Sequence, residues 1–227
     1  MHLSSWFTSR LCALAFASTM VLTLGALAPA GAQQGPLNRQ QAVQALGDAD
    51  PLRRLEGMVR LADIGTAADT DALMPRLLDT DPTLRHTALG IIWRLWGRSG
   101  DDAIDKLYQQ GMGLMRSGNL PKAVEVFSDI ISQRPDFAEA WNKRATVYYM
   151  LDQYDMSMKD CDEVLKRVPN HFGALYGYAQ MLVERDQPER ALELLERAYR
   201  VNPSSGNAEP MIDGLRRQIE AKRKKST

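Results

Sequence analysis

Three prolines, Pro135, Pro169 and Pro203, stand 34 residues apart, and sliding the chain against itself by that step aligns column after column. Leu107, Trp141 and Leu175 share a large apolar column, and Gly111, Ala145 and Ala179 a small one. Leu114, Tyr148 and Leu182 come next, followed by the turn residues Gly118, Asp152 and Asp186. The second half runs through Leu120, Tyr154 and Pro188, then Ala123, Ser157 and Ala191. Phe127, Cys161 and Leu195, then Ile130, Val164 and Ala198, lead back to the proline. Self-similarity at such a period marks a stacked repeat architecture. Within each half the apolar residues keep helical spacing. The small residue lets a second helix approach, and the turn residues tolerate the left-handed region. Proline ends the unit because it cannot continue a helix. The chain holds 28 Leu and 26 Ala against 8 Ile and 10 Val, an excess of unbranched residues that favours helix. An all-α protein is expected, with a helix–turn–helix unit stacked three times.

The segments LYQQGMGLMRSGNLPKAVEVFSDIISQRP, WNKRATVYYMLDQYDMSMKDCDEVLKRVP and LYGYAQMLVERDQPERALELLERAYRVNP resemble the tetratricopeptide repeat over roughly residues 104–203. The resemblance implies a right-handed α-solenoid of three units, assigned here to 101–203. Departures are minor: Ser157 replaces alanine, Cys161 a large apolar residue, and Pro188 an aromatic. Cys161 shares its column with Phe127 and Leu195 and reads as a small core residue rather than a reactive thiol. One period further on, the columns fall on Asp213 and Arg216, so a fourth unit is broken. Met211, Ile212, Leu215 and Ile219 still form one stripe, predicting a capping helix over 207–223 within a terminal segment 204–227. The run Lys222-Arg223-Lys224-Lys225 reads as a solvated, dipole-compensating helix end.

Residues 1–32 carry one charged residue, Arg10, before the apolar stretch Leu11 to Ala28, then Ala30-Gly31-Ala32. That order predicts a signal peptide cleaved after Ala32 and a periplasmic or secreted protein. The alternative is an inner-membrane anchor formed by residues 11–28, at the short limit for a span. Cleavage leaves Cys161 without a disulfide partner. Residues 33–49 read as a linker and 50–100 as a helical module. In the module DADPLRR at 48–54 and DTDPTLRH at 79–86 each offer an aspartate N-cap, Asp50 or Asp81, before a proline. Leu52, Leu55, Val59 and Ala62 form one predicted stripe, Leu73, Met74, Leu77 and Leu78 a short helix, and Leu84, Ala88, Ile91, Leu95 and Trp96 a third stripe. The phrase ALMPRLLDTDPTLRHTALGIIWRLWG is similar to a HEAT-type repeat. The module is expected to cover the open N-terminal face of the array, with Trp93 and Trp96 as packing residues at that junction.

Basic and acidic residues number 28 each, so no protein-wide field draws the chain to nucleic acid. Membrane contact is expected only through an uncleaved anchor. No phosphate-cradling glycine loop and no nucleophile elbow occurs. His86, His171 and the pair Asp101-Asp102 read as ordinary helix residues, so neither enzyme activity, cofactor nor metal is expected. A stack of helix pairs instead curves to give a concave surface lined by the first helix of each pair. Spacing puts Tyr108, Met112 and Met115 there in the first unit, Asn142, Thr146 and Tyr149 in the second, and Tyr176, Gln180 and Val183 in the third. Tyr108 and Met112 stand where some members of the family place the Lys and Asn of a carboxylate clamp, which argues against that use. The expected function is an exported adaptor that docks a peptide or helix of a partner protein in this groove. The alternative is a structural or assembly factor acting through self-association or the N-terminal module.

Overall fold

The computed structural model describes residues 35–204 and 208–226; the expected signal peptide and its cleavage position lie outside them. The described residues form helices and short 3-10 turns with no strand. The helices are α1 (Arg39–Ala45), α2 (Pro51–Ile64), α3 (Thr70–Leu73), α4 (Pro82–Trp96), α5 (Asp102–Arg116), α6 (Leu120–Gln133), α7 (Ala138–Met150), α8 (Tyr154–Arg167), α9 (Phe172–Glu184), α10 (Pro188–Val201) and α11 (Ala208–Ser226). Three-ten turns at Ala67–Asp69 and Met74–Leu78 flank α3.

Helices α5 to α10 are three antiparallel pairs, α5/α6, α7/α8 and α9/α10, each packed on the next as an all-α solenoid. The aligned columns are its core. Ala123, Phe127, Ile130, Val164, Ala179, Ala191, Leu195 and Ala198 are wholly buried. The small column does what its size suggests: a Cβ on Gly111 would lie 2.7 Å from Cζ of Phe127. Ser157, the polar departure, donates its hydroxyl to the carbonyl of Ala145 at 2.7 Å. Cys161 is buried, and burial, with the charges of Asp160 and Asp162, pushes its thiol up to about 12. The turn column is left-handed in all three units, with φ of 76° at Gly118, 57° at Asp152 and 51° at Asp186. Each closes the same double hydrogen bond. In the first, Asn119 N–H donates to Leu114 O and Gly118 N–H to Met115 O; residues 153 and 152, then 187 and 186, repeat it. This pattern satisfies the last carbonyls of a helix.

At the C-terminal end α11 covers α10 with Ala208, Ile212, Leu215 and Ile219, all buried. It reaches Ser226, a little beyond the expected 207–223.

The N-terminal module departs from expectation in three respects. First, 33–49 is not simply a linker. Asn38 caps α1 in a reciprocal box with Gln41, and Leu37, Ala42, Ala45 and Leu46 are buried in the module core. Second, the stripe of α2 is turned. Leu52 is 71% and Val59 52% exposed, while Arg54, Met58, Leu61 and Ala62 are buried. The rotation follows from two contacts. A Cβ on Gly57 would stand 2.5 Å from the carbonyl oxygen of Ala42, so this face must meet α1. Arg54 is drawn in by Asp79, pairing through Nε and Nη2 at 2.8 and 2.9 Å. Third, the module is not confined to the first unit, although Gly97 at the end of α4 lies against Tyr108 of α5. Its core takes in Phe172, with Val168 and Val201 against it, so it sits on the second and third units at the α8–α9 and α10 ends.

The two similar phrases are two copies of one local structure. Asp50 and Asp81 cap α2 and α4 by accepting from Leu52 N–H and Thr83 N–H. Four residues on, Arg54 donates to the carbonyls of Asp48 and Ala49, and Arg85 to those of Asp79 and Thr80.

Candidate partner-binding face

The first helices of the three pairs, α5, α7 and α9, carry the predicted inner stripe, and the structure divides it into a filled end and an open end. At the filled end α4 lies against the first turns of α7 and α9. A Cβ on Gly173 would come within 2.6 Å of Cη2 of Trp93, so the indole rests on bare backbone. Lys143 Nζ stands 5.1 Å from the centroid of the same ring, a cation–π contact. Trp96 stacks on His171 with centroids 3.9 Å apart and planes 17° from parallel.

Beneath the tryptophans lies a buried polar knot centred on Glu139, which is 1% exposed. Its carboxylate accepts from Asn142 Nδ2 at 3.1 and 3.2 Å and pairs with Lys143 Nζ at 2.8 Å. Tyr108 O–H reaches it at 3.5 Å. His171 caps α9: its Nδ1 accepts from Ala174 N–H, which leaves the ring proton on Nε2, 3.0 Å from the carboxylate. Burial alone would raise the carboxyl pKa; the charge of Lys143 and the hydrogen bond from His171 reverse that and hold it at about 2. The same burial, with the charge of Glu139, drives the Tyr108 hydroxyl far above the ordinary phenol range. The seal is incomplete. A cleft of about 280 Å³ remains beside Trp96, Arg98, Arg134 and Glu139, and Trp96 Nε1 has no hydrogen-bond partner among the described residues.

Two of the predicted contact residues therefore face inward. Tyr108 and Asn142 are buried and engaged by Glu139, not presented to a guest. The side chains around them at this end, Glu139 first, belong to the protein itself. The other predicted residues lie further along. Met112 and Met115 are half-buried against the first unit's core. Thr146 is exposed and its hydroxyl is used within its own helix, on Asn142 O. Tyr149 is 37% exposed and leans on Tyr154, and Val183 is equally exposed. Tyr176 is half-buried, with its hydroxyl on Met211 Sδ at 3.4 Å. Gln180 is half-buried. Met150, which the sequence did not single out, adds exposed apolar surface beside Tyr149.

Trp93, Glu139, Lys143, His171 and Gly173 were also not foreseen as one cluster. The stripe arithmetic offered a hint, since Glu139 and Gly173 lie three residues before Asn142 and Tyr176 and extend the same face by a turn. Nothing local ties them to a tryptophan in another part of the chain. No described group of three or more His, Cys, Asp or Glu side chains is arranged to hold a metal ion. No described helix is long and apolar enough to cross a membrane.

Fold and face together define an α-solenoid with one end of its concave surface exposed. The tetratricopeptide repeat pattern matches residues 108–164 and 159–207. A TPR repeat-containing protein of Rhizobium etli is 30% identical over 145 residues, 64% of this chain and 71% of that protein. The chain belongs to the tetratricopeptide repeat-containing proteins. Hsp70-Hsp90 organizing protein 1 of Glycine max is 23% identical over 116 residues, 51% of this chain but 20% of its own length. Among solved structures, the Yersinia enterocolitica type III secretion chaperone SycD in complex with a peptide of the translocator YopD matches with a TM-score of 0.50. The identity is 13%, over 52% of this chain and 96% of that one. The Sgt2 TPR domain from Aspergillus fumigatus matches with a TM-score of 0.50 and 18% identity, over 55% and 83%. These structures share the fold.

Proposed function

We propose that this chain is an exported protein-interaction adaptor that holds a segment of a partner protein on the open end of its concave face. The observation that carries the reading is exposed apolar surface at one repeat position of successive units: Tyr149 and Val183, 34 residues apart, are each 37% exposed, and Met150 next to Tyr149 is exposed too. Large apolar side chains at water on equivalent positions of neighbouring helix pairs suit an interaction surface. The SycD structure holding a translocator peptide supports this use of the fold. Export rests on the charged start, apolar stretch and Ala30-Gly31-Ala32 of the first 32 residues. The HEAT-like module supports the face by fixing one end of it. Contact area is small, so affinity is modest.

Affinity capture from a cell-envelope extract, comparing the parent chain with Tyr149→Ala and Val183→Asp, tests the reading. Both substitutions lie at exposed positions, so the melting temperature should stay nearly unchanged while capture of a common partner falls about tenfold. Equal recovery by parent and both variants removes the groove from the function.

A further inference from the structure

The basic run near the C-terminus has no part in the array or in the face just described. Residues 214–227 carry Arg216, Arg217 and the run Lys222-Arg223-Lys224-Lys225 against Glu220 alone, five positive charges in excess in a chain whose basic and acidic residues number 28 each. All seven of these side chains are exposed. Ile219 is the last buried residue of α11, and every residue from 220 to 225 lies at water. At 1.5 Å per residue, about 10 Å of helix runs on past that point. The other acidic residues of α11, Glu209 and Asp213, lie toward its start, roughly 14 Å or more from the run and so beyond the screening length of about 8 Å at physiological salt. Helix α10 beneath adds no net field, with Glu189, Glu193 and Glu196 against Arg190, Arg197 and Arg200. We propose that this end of α11 docks the protein on an anionic phospholipid surface, as a peripheral contact made through headgroup charge without insertion.

The charge exceeds what the helix itself can use. A cation or two in the last turn answers the partial negative charge of a helix C-terminus. Four in succession repel one another, Lys222 and Lys225 meeting at i, i+3. Surface pairs do not remove the excess. Lys222 Nζ lies 2.7 Å from Asp186, Lys224 Nζ 3.0 Å from Glu220 and Arg216 Nη2 2.7 Å from Glu196, and exposed pairs of this kind hold weakly. The charge also comes without the features that other polyanions or proteins need. No described residue of α11 is an exposed large apolar side chain, and residues 203–227 contain no aromatic. A protein interface draws its affinity from apolar and aromatic anchors, and a single-stranded nucleic acid from stacking on aromatic rings. Four consecutive residues turn through roughly 300° about the helix axis, so the run presents charge in every direction rather than along one face that could follow a duplex. A headgroup layer asks for clustered Lys and Arg alone. The contact needs neither the groove nor its guest, so it stands apart from the adaptor reading.

Co-sedimentation of the full chain with phosphatidylcholine vesicles, with and without phosphatidylglycerol, tests the proposal. Neutral vesicles report any contribution of the apolar stretch Leu11 to Ala28, and the excess bound to anionic vesicles reports the basic end. That excess should be clear at low salt and vanish in about 0.5 M salt, where the screening length shrinks to about 4 Å. Lys224→Gln combined with Lys225→Gln should weaken it roughly tenfold or more, at about fivefold for each charge near the surface. Lys106→Gln combined with Lys122→Gln, both exposed on α5 and α6, removes the same charge elsewhere and should leave the excess unchanged. Equal binding to the two vesicle types overturns the proposal, as does an excess that survives the Lys224 and Lys225 substitutions or is lost equally in the Lys106 and Lys122 pair. Binding of a short DNA duplex that matches the anionic vesicles, and falls by the same factor in the first variant, would make this end a general polyanion site and overturns the assignment to lipid.

Discussion

A glycine and a carboxylate set the chemistry of the junction at the scale of single residues. Gly173 owes its identity to Trp93: a Cβ there would meet the indole at 2.6 Å, and the indole would have to give up its contacts with Lys143 and Phe172 to make room. Gly173→Val should therefore destabilise by about 1–3 kcal/mol, the usual cost of overpacking, and shift tryptophan emission as Trp93 is pushed toward water. An unchanged spectrum and melting temperature would contradict the seating of α4. Glu139 makes a second prediction. Its folded pKa of about 2 lies below the ordinary 4.5, so its stabilising contribution is complete above pH 4.5 and is lost as pH falls toward 2. Glu139→Gln should flatten the stability profile in that window, measured by chemical denaturation at each pH, while lowering stability at neutral pH by leaving Lys143 and His171 short of their acceptor.

Among elements, the two copies of the Asp-Pro-Leu-Arg-Arg and Asp-Pro-Thr-Leu-Arg start separate what a sequence pattern prescribes from what its setting adds. Both arginines close the same loop by donating to two carbonyls. Arg54 alone also forms the paired contact with Asp79, whose carboxylate is 2% exposed. Neighbouring guanidinium groups, Arg54 foremost and Arg76 after it, outweigh burial and hold that carboxyl below the usual range. Removing one partner of a buried pair is far costlier than trimming a surface contact. Arg54→Ala should lower the urea midpoint clearly more than Arg85→Ala, because only the first takes a paired contact from the buried Asp79 carboxylate. Similar losses for both would show that carbonyl capping, not Asp79, governs Arg54. The same pair explains a misreading of α2. Periodicity weighs Leu52 and Val59 as core and Arg54 as surface, yet a carboxylate 25 residues away reverses them. Helix α1 escaped notice for a related reason: within a Gln-rich stretch its few apolar residues, Ala42 and Ala45 chief among them, acquire meaning only against the bare backbone of Gly57.

For the molecule as a whole, the stacked pairs were legible and the docking of the module was not. Each repeat column meets its counterpart a fixed step away, so Gly111, Phe127 and the left-handed Asp152 and Asp186 announce their roles through recurrence. The seat of Trp93 and Trp96 occurs once, and a contact made once leaves no period to read. Two of the nine predicted contact residues were lost for that reason, since Tyr108 and Asn142 are buried around Glu139. Further along the same helices Tyr149 and Val183 are exposed.

The placement of Phe172 inside the module's own core, with Val168 and Val201 against it, has a mechanical result. A row of helix pairs left to itself flexes like a coil spring, its curvature breathing as neighbouring pairs tilt. Here one flank of the second and third pairs shares a core with the module, so those pairs cannot tilt apart without opening that core. A guest on the proposed face would then have less motion to freeze on association.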